Sequence, residues 1–150
     1  MVGVMVAIVG FITRRSLHTM YVGIGKRRGG GVGLNLRDRY LELAIFNKEY
    51  RACYSKLYRV YSILYPDIVK CIDNNICPFC NKRFKNIKTL KIHLTKNYNG
   101  CANIFWGTIQ FTVYVYSKIP KSVCGRYYIN GKSYSKNEFS KVVMEVVNNL

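Results

Sequence analysis

The chain has 150 residues, about one domain, a length that buries roughly two-thirds of the surface exposed by the unfolded form. At 49% hydrophobic and 14% aromatic it lies far from the composition of disordered chains, which excludes a wholly unstructured protein. Its 24 Lys and Arg against 7 Asp and Glu give a net charge of +17, a self-repulsion that a polyanion offsets, so nucleic acid is the partner that charge points to.

In chain order, the apolar run Met1 to Ile12 is shorter than the ~20 residues a helix needs to cross a bilayer. Arg14 and Arg15 follow this run instead of preceding it, unlike a signal peptide, so no transmembrane span is expected. The stretch Tyr21 to Leu34 holds six glycines and the cluster Lys26, Arg27, Arg28. Backbone entropy opposes order there, and we read a flexible basic linker. Its glycines lack the Gly-Lys-Ser/Thr ending that a phosphate-binding loop requires.

From Arg37 to Tyr65 bulky or apolar residues recur at Leu43, Phe46, Tyr50, Cys53, Leu57, Val60 and Leu64, in steps of three and four. This spacing predicts one long amphipathic helix, ended by Pro66. A narrow stripe would make a dimer seam, so the 43–64 helix is a candidate surface for a homodimer or a protein partner. Ile45 and Ile63 widen the stripe and favour packing within the monomer.

The segment Cys77 to His93 reads CPFCNKRFKNIKTLKIH, with two residues between the cysteines and twelve between Cys80 and His93. It resembles a C₂H₂ zinc finger at Cys77, Cys80, Phe84, Leu90 and His93. The physical logic is plain. Two cysteines in a tight turn present thiolates to one metal, and Leu90 and His93, three apart, share the inner face of the following helix. Phe84 and Leu90 are the finger core, too small to hold without metal. The resemblance implies one zinc per chain. It departs at the fourth ligand, because Asn97, Tyr98 and Asn99 occupy the places of the second histidine. Cys101 is the nearest competent donor, which gives a Cys77, Cys80, His93, Cys101 site, with Cys71 and Cys124 as alternatives. His18, across the linker, reads as an exposed histidine.

In the resembling family the finger helix enters the DNA major groove, and its base-reading positions fall here on Asn86, Thr89 and Ile92. Ile92 offers no hydrogen bond to a base. Lys82, Arg83, Lys85, Lys88, Lys91 and Lys96 surround these with charge suited to phosphates, so the expected DNA-binding set is those six with Asn86 and Thr89. The expected function is a zinc-dependent, DNA-binding transcriptional regulator. The alternative is a protein-interaction module with a purely structural zinc. Few acids and a single finger histidine argue against an enzyme. Cysteines at metal spacing rather than in a disulfide framework point to a reducing setting, cytoplasmic or nuclear.

Beyond the finger, Ile104 to Tyr116 alternates Ile109, Phe111, Val113 and Val115 with Thr108, Gln110, Thr112 and Tyr114. This predicts a strand; the competing helix would align Cys101, Phe105, Ile109, Val113 and Tyr116. Asn130-Gly131 between β-prone arms predicts a tight hairpin. Ser135 and Glu138 form a capping box before a helix carrying Phe139, Val142, Val143 and Val146. The expected fold class is α+β: an N-terminal region and linker (1–36), a helical region (37–75), the finger (76–101) and a β/α region (102–150).

Overall fold

The computed structural model describes residues 36–96 and 100–150. The apolar N-terminus, the Gly-rich linker and His18 lie outside the described residues. Among the described residues, seven α-helices and one antiparallel hairpin make an α+β fold. In chain order these are α1 (Leu36–Phe46), α2 (Lys48–Arg51), α3 (Ser55–Leu64), α4 (Pro66–Asp73), α5 (Ile87–Thr95), α6 (Gly100–Lys118), β1 (Arg126–Ile129), β2 (Lys132–Ser135) and α7 (Phe139–Asn148).

The single helix expected from Arg37 to Tyr65 is instead three helices. Asn47 breaks the first, leaving helical geometry (φ −136°, ψ 111°) to accept the Glu49 N–H and cap α2. A polar side chain that bonds its own backbone competes with helix continuation. Arg51 closes the junction. Its guanidinium donates to the Ala44 and Ile45 carbonyls at 2.8 and 2.9 Å, which α1 cannot satisfy itself, and pairs with Asp73 of α4 at 3.0 Å. The predicted stripe is therefore split: Leu57, Val60 and Leu64 are in the monomer core, whereas Tyr50 and Cys53 are exposed. Pro66 acts as expected, ending α3 and opening α4 at its first position.

The strand predicted over Ile104 to Tyr116 is the second correction, since these residues lie within α6. α1, α3, α5 and α7 all pack against it. A helix enclosed in this way is apolar on most of its circumference, so its sequence carries no narrow stripe and a period of two arises by coincidence. Phe105, Trp106, Ile109, Phe111 and Val115 are buried together. The buried hydroxyls are satisfied within the helix, Thr108 donating to the Phe105 carbonyl at 2.6 Å and Thr112 to that of Thr108 at 2.8 Å. With the Thr108 proton so used, the Tyr61 hydroxyl of α3 donates to Thr108 Oγ1 at 2.9 Å. Gln110 likewise donates to the buried Asp38 carboxylate of α1.

The C-terminal region forms as its sequence predicts. β1 and β2 pair from Arg126 with Ser135 to Ile129 with Lys132. Asn130 and Gly131 both take positive φ (51° and 77°), the geometry of a tight hairpin turn. The Glu138 carboxylate accepts the Ser135 N–H at 3.0 Å before α7, whose Phe139, Val142, Val143 and Val146 are buried. Among the described residues no helix is long and apolar enough to cross a membrane.

Candidate metal centre

The site begins in the turn between α4 and α5. Asn75 and Asn81 adopt left-handed geometry (φ 60° and 63°), which asparagine tolerates better than most residues. These bends fold the segment back on itself. The Cys77 N–H donates to the Lys82 carbonyl at 2.9 Å, the Asn81 N–H to that of Cys77 at 2.9 Å, and the Phe84 N–H to that of Asn75 at 2.8 Å. A single bridge, Ile76 to Arg83, is all the β-structure this turn contains. The tight loop brings both sulfurs to one cluster, with Cys77 buried and Cys80 at the surface.

His93 comes from the inner face of α5 and Cys101 from the first turn of α6. The three Sγ atoms and one imidazole nitrogen all lie within 4.8 Å of one another. Cys80 Sγ is 3.7 Å from His93 Nε2. The edge of a tetrahedron between thiolate and imidazole ligands is about 3.6 Å, so this pair already stands at the separation of two ligands on one ion. All six cysteines are free thiols, and Cys71 and Cys124, the alternative fourth donors, lie outside the cluster.

Electrostatics make the same demand. Burial pushes the Cys101 thiol up to about 12, and the neighbouring Cys77 and Cys80 sulfurs push the same way. Cys80 is held below the ordinary thiol value, chiefly by the Lys82 backbone N–H. Burial, then the Lys82 ammonium, keeps His93 below its usual value, in the neutral form that ligates. Three sulfurs at this distance ionise together only around a cation. A negative site also suits the N-terminus of α6, where the helix dipole favours anions. The cluster can hold one metal ion.

The two residues predicted as a finger core, Phe84 and Leu90, join a larger apolar core. Leu90 is fully buried, and the half-buried Phe84 ring sits 4.9 Å from His93. Leu94, one turn beyond Leu90, is also fully buried, and Trp106 of α6 donates its indole N–H to the Thr95 carbonyl at 3.4 Å. The sequence reading missed Leu94 and Trp106. The step from Leu90 to Leu94 was a visible signal for a second inward residue. Helix α5 is thus packed onto α6 and α4.

Of the predicted DNA-contacting residues, Lys82, Arg83, Lys85, Asn86, Lys88, Thr89 and Lys96 are exposed and Lys91 is half-buried. The outer face of residues 85–92 is open. Asn86 and Thr89 are occupied with each other: Asn86 Oδ1 accepts the Thr89 N–H at 2.9 Å, and the Asn86 N–H reaches Thr89 Oγ1 at 3.4 Å. They form the capping box of α5. No protein-family model, curated protein or solved structure matches the chain.

Proposed function

We propose that the chain is a zinc-dependent nucleic-acid-binding protein, a DNA-binding transcriptional regulator that holds duplex DNA mainly by its phosphates. Three cysteine sulfurs and an imidazole clustered within 4.8 Å of one another are a donor set that suits zinc among common intracellular metals. Four protein ligands leave no open position for substrate, so we read the zinc as structural and expect no catalysis at this site.

The observation that carries the reading is the exposed cationic surface over this site, formed by Lys82, Arg83, Lys85 and Lys88 at the turn and the start of α5. Such a surface binds phosphate without reading sequence. Asn86 and Thr89 support this emphasis, because breaking their cap to reach a base edge forfeits about 1 kcal/mol of helix stability. The test is a salt titration of duplex binding by the zinc-loaded protein. Changing Arg83, Lys85 and Lys88 together to Ala is expected to flatten the slope of log affinity against log salt by about 2.7. Absence of binding at low salt with zinc in place would refute the reading. The exposed Ile92, with 40% of its surface accessible on this face, then favours a protein-interaction module.

A further inference from the structure

Two clefts open side by side at the start of α3 and share Ser55 and Lys56. None of their lining residues belongs to the metal centre or to α5. The first, of about 310 Å³, is lined by Lys56, Arg59 and Lys136 together with Ser55 and Ser122. Among the described residues these three cations make no ion pair. Glu138, the acid closest to them along the chain, bonds Ser135 and Lys141 instead. Aromatic rings wall the cleft: Lys56 Nζ lies 5.5 Å from the Tyr127 centroid and Arg59 Cζ 5.0 Å from that of Phe139. Three like charges around one cleft repel until an anion enters, and two hydroxyls add donors for its oxygens.

The second cleft, of about 290 Å³, is aromatic, lined by Tyr40, Tyr54 and Tyr116 with Arg37. Tyr40 and Tyr54 stack at 4.4 Å between centroids with 10° between planes, and Arg37 Cζ lies 5.4 Å from the Tyr116 centroid. Flat aromatic and guanidinium groups of this kind accept a nucleobase, and the volume admits one. A cationic cleft beside an aromatic one reproduces the order of phosphate and base along a strand. Bases in a duplex are already stacked and paired, which leaves an unpaired strand as the occupant.

We propose that the paired clefts bind single-stranded nucleic acid, with a phosphate among Lys56, Arg59 and Lys136 and the adjoining base against Tyr40, Tyr54 and Tyr116. This is a second contact surface, separate from the duplex-binding face of α5. The test is fluorescence anisotropy of a labelled oligothymidylate against the zinc-loaded full chain. Changing Lys56, Arg59 and Lys136 together to Ala removes the one phosphate contact and is expected to flatten the salt slope for the single strand by about 0.7. Tyr54→Ala is expected to weaken binding about 5- to 150-fold, whereas Tyr54→Phe, which keeps the ring and the start of α3, retains it. The Arg83, Lys85, Lys88 variant separates the two surfaces: it is expected to bind the single strand normally, whatever its effect on duplex. An unchanged salt slope in the Lys56, Arg59, Lys136 variant would overturn the proposal. So would loss of single-strand binding in the Arg83, Lys85, Lys88 variant alone. Displacement of the oligomer by thymidine monophosphate at equal concentration would also overturn it, in favour of a free nucleotide.

Discussion

Cys101→Ser isolates the contribution of the ligand that departs from the resembling family. A serine hydroxyl does not ionise near neutral pH, so the variant keeps the Cys77, Cys80 and His93 donors and loses the one supplied by α6. Structural zinc in finger peptides is worth about 10–16 kcal/mol, and an equal quarter share is about 3 kcal/mol, or roughly 100-fold in affinity. A second signature is independent of that division. Because burial holds the Cys101 thiol at about 12, it stays protonated without metal throughout the neutral range and releases a full proton when zinc binds. The sign follows directly: zinc competes with that proton, so affinity rises with pH. Cys101→Ser should therefore lower the slope of log affinity against pH by about one unit between pH 6 and 9. Competition against a chromophoric chelator across that range measures both quantities. Cys71→Ser and Cys124→Ser, outside the cluster, should leave both unchanged. A Cys101→Ser protein with unaltered affinity and unaltered pH slope would refute the four-ligand site.

Leu94→Ala empties a fully buried position between the finger helix and the rest of the core, and should cost about 2–5 kcal/mol in urea unfolding of the zinc-loaded protein. An isolated finger would confine that effect to its own residues, so a global loss of stability checks that α5 and α6 form one core. Asn86→Ala should lower stability by about 1 kcal/mol through loss of the α5 cap, and denaturation alongside a duplex-preference assay separates capping from base reading. Burial pushes the Tyr61 hydroxyl above the ordinary tyrosine value of 10.0. The protonated form is the one the fold accommodates, so the corresponding stability is complete below pH 10 and is lost as pH rises above it. Tyr61→Phe should remove that alkaline loss and cost about 1 kcal/mol at neutral pH by deleting the bond to Thr108, both readable from urea melts on either side of pH 10.

Features set by residues close together in the chain were legible in the sequence. The cysteine pair needs only a tight turn, and Leu90 and His93 need only the helical step, so the three donors Cys77, Cys80 and His93 could be placed before any tertiary contact was known. Asn130-Gly131 encodes its own positive φ, and the Ser135 and Glu138 box caps its own helix end. Chemistry also singled out Cys101, because no other strong donor closely follows His93. Tertiary structure decided the rest. Whether Ile104 to Tyr116 is strand or helix depended on how many sides of it are covered, and helices packed around α6 make a helix apolar on most of its faces the stable answer. The break at Asn47 is stabilised by Arg51 reaching back to α1 and across to Asp73, partners that no periodicity along the chain reveals. The clefts at α3 likewise bring Lys56 and Arg59 to Lys136, which is remote in the chain. Local spacing determines which groups can share an ion or a turn, whereas burial depends on which surfaces meet, and that is a property of the whole fold.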